Sequence, residues 1–151
     1  MSVHFDWAHN VTIWCSLTAW VLAQGAKLFG EFIETRKLDP GCIFRLGGMP
    51  SSHSASVSAM ATSVGLCVGF DSPIFAVALT FAAIVMIDAQ SVRRAAGEQA
   101  RLLNQIVEEL FKEHRLSQEK LAEWLGHTRL EVFLGMTMGI LTALLFHAFW
   151  P

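Results

Sequence analysis

The sequence predicts an all-α fold, an integral membrane bundle of about four transmembrane helices with a cytoplasmic amphipathic helical hairpin. Three observations carry that prediction: an apolar excess, four apolar stretches of near-membrane length, and basic residues confined to two of the intervals. Of 151 residues, 53% are hydrophobic and 16% charged, and mean hydropathy is +0.44. Soluble domains are nearer one-quarter charged. A chain of this length is expected to form a single membrane domain, 1–151. Its net charge of −2 argues against nucleic-acid binding by bulk charge. Cys15, Cys42 and Cys67 are odd in number and lack metal-ligand spacing, so neither a disulfide framework nor a metal site is expected. The first residues, MSVHFDWAHN, lack the basic start of a secretory signal, and the first apolar stretch reads as a permanent span.

A helix needs about 20 mostly apolar residues to cross a bilayer. The stretches at about 11–29, 52–70, 72–89 and 131–150 meet that need. The second is built from Ala, Ser, Gly and Val. Its Ser54, Ser56, Ser58, Thr62 and Ser63 would be costly against lipid, so it belongs inside the bundle, where small side chains let backbones approach. Asp71-Ser72-Pro73 marks a tight turn before the third. All eleven Lys and Arg lie either in the interval after the first span or in that between the third and fourth, Lys27 and Arg129 marking its helix ends. The positive-inside rule then puts both long loops in the cytoplasm and both termini outside, in a bacterial inner or an organellar membrane.

The second basic interval, about 90–126, reads as a helical insertion. Leu102, Leu103, Ile106, Val107, Leu110 and Phe111 repeat in pairs every four residues and make one apolar stripe. Ser117 reads as the cap of a second short helix ending near Gly126. An amphipathic hairpin on the bundle or the membrane surface is expected, with a partner-binding helix as the alternative.

Ionisable residues near spans call for an account. Here they gather at one end. Lys27 ends the first span, Pro50-Ser51-Ser52-His53 opens the second after Gly47-Gly48, Asp88, Arg93 and Arg94 close the third, and His127 and Glu131 open the fourth. Pro50 suits a helix start, where Ser51, Ser52 and His53 would present free backbone N–H groups, and such an end binds phosphate. Lys27, Arg93 and Arg94 are candidates to neutralise anionic oxygens. His127 and Glu131, four apart, share a helix face, so the carboxylate can fix the imidazole's tautomer and free its other nitrogen for attack. His53 would protonate a leaving oxygen. Singly, each feature has an ordinary explanation: a snorkelling lysine, a cap, a surface pair. Their convergence at one membrane depth argues for a site.

The strings GGMPSSHSA, DAQSVRRAAGEQARLLNQ and LGHTRLEVFLG closely resemble the divergent membrane branch of the type-2 phosphatidic acid phosphatase family, related to vanadium-dependent haloperoxidases. The resemblance runs from about residue 23 to the end of the fourth span. The family's first-motif Lys falls on Lys27, without the Arg-Pro that usually follows. Its Pro-Ser-Gly-His falls on residues 50–53, with Ser52 in place of Gly. The third motif is split: its His-x3-Asp half falls on His127 and Glu131, and its Arg half on Arg93, with Gly97 at the family's spacing. Residues 98–125 read as an insertion between the halves. The resemblance implies a metal-free and cofactor-free phosphomonoesterase acting on a lipid phosphate. His127 would be the nucleophile, Glu131 its orienter and His53 the general acid. Lys27, Ser51, Ser52, Arg93 and Arg94 would hold the phosphoryl group, with Asp88, Gly48 and Gly97 in support. The alternative is a non-catalytic membrane protein that binds a phospholipid headgroup or a protein partner in the same basic pocket. Four spans are fewer than the six common in membrane relatives, so a homodimer is one way to complete the bundle.

Overall fold

The computed structural model describes residues 7–36, 48–110 and 127–149. Within them the chain is all helical. A short 3-10 turn, Trp7–His9, precedes α1 (Val11–Thr35), α2 (Ser52–Val68), α3 (Pro73–Gln90), α4 (Val92–Leu110) and α5 (Arg129–Phe149). The starts of α1, α2 and α3 follow local chemistry. The Asn10 side chain caps α1 by accepting from the amides of Thr12 at 3.1 Å and Ile13 at 3.3 Å. Ser51 caps α2. Ser72 caps α3, with Pro73 in its first turn, where a missing N–H costs nothing.

α2 is the centre of the bundle, packed against α1, α3 and α5. On one side, Ala55 and Ala59 form a core with Ala19 and Ala23 of α1 and Ala143 of α5. On the other, Ala61 meets Ala78 and Ala82 of α3, with Val57, Val64 and Met86 around them. Side chains this small bring backbones into contact. Gly135 and Gly139 of α5, spaced as G-x-x-x-G, lie against the carbonyl oxygens of Ser51 and Ala55, and a Cβ at either glycine would collide with them. This is the packing mode of helices in lipid, where close approach replaces the hydrophobic effect as the associating force.

The large apolar residues point the other way. Val77 is 70% exposed, Phe29 66% and Leu145 60%. A water-soluble bundle would bury them. Two helical runs, Pro73–Val107 and Arg129–Phe149, are long and apolar enough to cross a membrane. The small-residue interior and large apolar exterior describe a helical membrane bundle, as the composition predicts.

The first arm of the expected hairpin is α4. α4 continues α3 across the single residue Ser91, which keeps a right-handed helical conformation (φ −105°, ψ −58°). The Ser91 amide still donates to Ile87 and that of Ala95 to Ser91. The second arm of the expected hairpin, with Ser117 and Gly126, lies outside the described residues.

Candidate functional site

Two helix N-termini and one helix C-terminus meet at the end of the bundle that holds Ser51 and His127. The Ser51 hydroxyl accepts from the Ser54 amide at 3.3 Å and the Ser54 hydroxyl at 3.0 Å, and Ser51 is wholly buried. Its amide donates to the Glu131 carbonyl at 3.0 Å, which ties the start of α2 to the first turn of α5. A buried amide needs such a partner.

The start of α5 is a capping box. The Thr128 hydroxyl accepts from the Glu131 amide at 3.3 Å, and the Glu131 carboxylate accepts from the Thr128 amide at 3.1 Å. The same carboxylate oxygen lies 2.9 Å from His127 Nδ1. An ionised carboxylate only accepts, so Nδ1 is assigned the hydrogen, and in the neutral ring Nε2 then keeps the lone pair. His127 is 4% exposed and Glu131 16%, so this pair is not an ordinary solvent-facing one. The His127 amide donates to the carbonyl of Ala89, in the last turn of α3, at 3.0 Å. The imidazole is therefore fixed from both sides, its ring by Glu131 and its backbone by α3.

The other sequence-predicted residues take the following places. Ser52 is buried in the first turn of α2, and His53 beside it is exposed. Lys27, half-buried on α1, runs its aliphatic stem past Gly48: a Cβ built on Gly48 would lie 3.9 Å from Lys27 Cδ. Gly48 has φ +87°, a backbone conformation that glycine adopts without steric cost. Asp88 is half-buried in the last turn of α3, and Gly97 is buried on α4. Arg93 and Arg94 occupy the first turn of α4, and their side chains lie outside the described residues. The geometry thus joins Ser51, His127 and Glu131 directly by hydrogen bonds or through one shared residue, and sets Lys27 along Gly48.

Three contributors escape the sequence reading. Thr128 completes the T-x-x-E pattern in HTRLE, a signal that is legible there. Gly135 lets α5 approach Ser51, and G-x-x-x-G is equally legible. Ala89 acts only through its carbonyl, and no side-chain pattern announces that.

An imidazole oriented by a carboxylate, at the mouth of a helical membrane bundle and beside two helix N-termini, defines a class of membrane protein with a histidine-centred polar site. The comparisons with known proteins supply the family. The chain matches the family model described as Divergent PAP2 family over residues 8–142. It is 43% identical over 152 residues to the uncharacterized membrane protein YuiD of Bacillus subtilis (strain 168), a match that covers 93% of this chain and 96% of that protein. No solved structure matches. The chain belongs to the Divergent PAP2 family, and it is a membrane protein.

Proposed function

We propose that this protein is a membrane-embedded phosphatase that hydrolyses a lipid phosphate monoester through a phosphohistidine intermediate. One observation carries the reading: the buried His127 holds Nδ1 against the Glu131 carboxylate at 2.9 Å, which leaves Nε2 as the nucleophilic nitrogen. The surroundings suit a phosphoryl group. The N-termini of α2 and α5 direct the positive ends of their dipoles to the same end of the bundle, and the Lys27 stem runs toward it past Gly48.

In the first step Nε2 of His127 attacks phosphorus and the ester P–O bond breaks. The departing alkoxide takes a proton from His53, which is exposed at the second position of α2 and open to proton exchange with water. Glu131 stabilises the cationic imidazole that results. In the second step His53 takes a proton from water, hydroxide attacks phosphorus, the N–P bond breaks, and inorganic phosphate leaves with His127 neutral again. Lys27, Arg93, Arg94, Ser51 and Ser52 would counter the charge on the phosphoryl oxygens in both steps. The membrane setting favours an amphiphilic substrate. By the positive-inside rule the basic intervals favour the cytoplasmic side for this end, which suits lipid phosphates made in the cytoplasm.

The test is phosphate release from a panel of lipid phosphates by the purified protein, beside His127→Ala and His53→Ala. Turnover by the native chain that both substitutions abolish, and that vanadate inhibits as a mimic of five-coordinate phosphorus, supports the reading. Saturable lipid-phosphate binding without turnover in any version overturns it in favour of a binding protein. Thiol labelling at positions 36 and 115 from the cytoplasmic side alone supports the orientation, and labelling from outside overturns it.

A further inference from the structure

Three helices pack on α2 without enclosing it. α5 lies along one side, where Gly135 and Gly139 meet the carbonyls of Ser51 and Ala55. α1 takes a second side: its Ser16 hydroxyl lies 2.8 Å from that of Ser56, and its Thr12 hydroxyl 3.0 Å from that of Ser63. α3 takes a third, where Val57 and Val64 pack against the cluster of Ala61, Ala78 and Ala82. Ser56 and Ser63 are seven residues apart, nearly two helical turns, as are Val57 and Val64, so each pair marks one shoulder of the helix. Between the shoulders runs a third row at the same spacing, His53, Met60 and Cys67. His53 and Cys67 are exposed and Met60 is half-buried. Among the described residues no packed interface joins α1 to α3. The row is therefore the floor of a cleft, with α1 as one wall and α3 as the other.

We infer that this cleft holds the hydrocarbon chain of the substrate, which enters sideways from the bilayer with its phosphate at the His127 end. The inference rests on the proposed reaction, in which the departing oxygen takes its proton from His53, so the first carbons of the alcohol lie beside that ring. The cleft changes character along its length to match. At the site end His53 is on the floor and Lys27 on the α1 wall, since Lys27 is eleven residues, about three turns, beyond Ser16 and shares its face. Deeper along α2 the floor is Met60, a flexible side chain that adapts to an apolar neighbour, and the wall is Trp20, one turn from Ser16 and 40% exposed. Charge at one end and apolar surface beyond it correspond to the two parts of a lipid phosphate. The length also fits: His53 and Cys67 are fourteen residues apart, about 21 Å of helix against about 15 Å for one leaflet of hydrocarbon. Because the cleft opens to lipid, no methylene passes through water on the way in. The rival position is too far away. A hollow of about 400 Å³ between α1 and α5 is lined by Thr18, Leu22, Thr142 and Leu145. Thr142 is fifteen residues beyond His127, about 22 Å along α5, so carbons bonded next to the phosphate do not lie there.

The experiment photolabels the full chain in lipid nanodiscs with hexadecyl phosphonate carrying a diazirine at mid-chain, a probe whose C–P bond resists hydrolysis. Peptide mass spectrometry is expected to find label on α2 around Met60 and on Trp20, displaced by excess hexadecyl phosphonate and not by hexadecanol. Label at Leu145 or Phe149 instead, or label that the phosphonate does not displace, overturns the inference. A second measurement compares kcat/KM for hexadecyl and hexyl phosphate. Met60→Trp, which fills the cleft, is expected to lower the hexadecyl-to-hexyl ratio at least about tenfold, and Leu145→Trp, in the hollow between α1 and α5, to leave that ratio unchanged. A ratio unmoved by Met60→Trp, or moved equally by both changes, overturns the inference. The two failures are distinguishable. Displaceable label around Met60 without phosphate release from any ester removes the phosphatase and keeps the cleft, and phosphate release with label elsewhere does the reverse.

Discussion

His127 and His147 stand at opposite ends of the bundle, and the two are held in different ways. At one end His127 Nδ1 lies 2.9 Å from a carboxylate, on the first turn of α5 and beside the first turn of α2. At the other, His147 Nε2 lies 2.9 Å from the Ser63 hydroxyl, which in turn lies 3.0 Å from that of Thr12. There α2 and α5 end, where at the first they begin. The first arrangement fixes an imidazole against a carboxylate. The second links the first turn of α1 to the last turns of α2 and α5 through two hydroxyls and an imidazole. Equal hydrogen-bond lengths thus serve different ends, and the partner's charge and the helix polarity separate them.

The comparison breaks most sharply on exchange of the two histidines' roles. On the proposed mechanism His127→Ala removes the nucleophile and is expected to lower phosphate release by at least about 10⁴-fold. His147→Ala is expected to leave the rate within about twofold. Initial rates on one lipid phosphate, with both proteins checked for folding, decide it. Comparable losses from the two would remove the distinction between the ends.

Glu131 sharpens the same contrast. Glu131→Gln keeps a side chain able to cap Thr128 but no longer favours a cationic imidazole or the Nδ1–H tautomer. The loss expected is on the order of 10³-fold in kcat, by analogy with carboxylates that orient a catalytic histidine, with little change in thermal stability. A fall in Tm with kcat preserved would make Glu131 a cap alone.

The glycines of α5 report on the packing that brings the site end together. Gly135→Ala places a Cβ against the Ser51 carbonyl, and Gly139→Ala against that of Ala55. Either should cost about 1–3 kcal/mol, read as a lowered Tm in detergent. Gly135→Ala should also lower activity, since it displaces the residue that bonds Glu131. Gly25→Ala and Gly30→Ala on α1 meet nothing within 4 Å and should instead raise stability by about 0.5–1 kcal/mol.

Much of this was legible before any coordinates. The small-residue second span had to be internal because its hydroxyl residues would be costly against lipid; Ser54, Ser58 and Ser63 are indeed buried, and Ser56 and Thr62 are half-buried. The i, i+4 spacing of His127 and Glu131 predicted a shared helix face; the two side chains do meet, but His127 precedes α5, and the contact forms because Glu131 reaches back from the first turn as it caps Thr128. The burial of the pair was not readable, because it depends on Ala89 and Ser51, which act through main-chain atoms of other helices. Backbone donors and acceptors are the same in every residue, so sequence pattern does not select them. The exposure of Leu102, Leu103 and Ile106 on α4 was also not readable. Periodicity gives a helix its apolar face but not the direction in which that face points.

The smallest effect belongs to the end that holds His147. Ser63→Ala removes the central hydroxyl of the Thr12–Ser63–His147 chain and leaves both neighbours without their shared partner. Interhelical hydrogen bonds in membrane bundles average about 0.6 kcal/mol and reach about 1.7. The expected loss is therefore about 1 kcal/mol, seen as a small drop in Tm, with phosphate release unchanged. Ser51→Ala makes the matching probe at the other end. It removes a cap of similar strength, about 1 kcal/mol, from a residue whose amide holds Glu131. Its Tm should fall by a similar amount while its activity also falls. Equal stability loss with unequal loss of activity is the result expected if only one end of the bundle does chemistry.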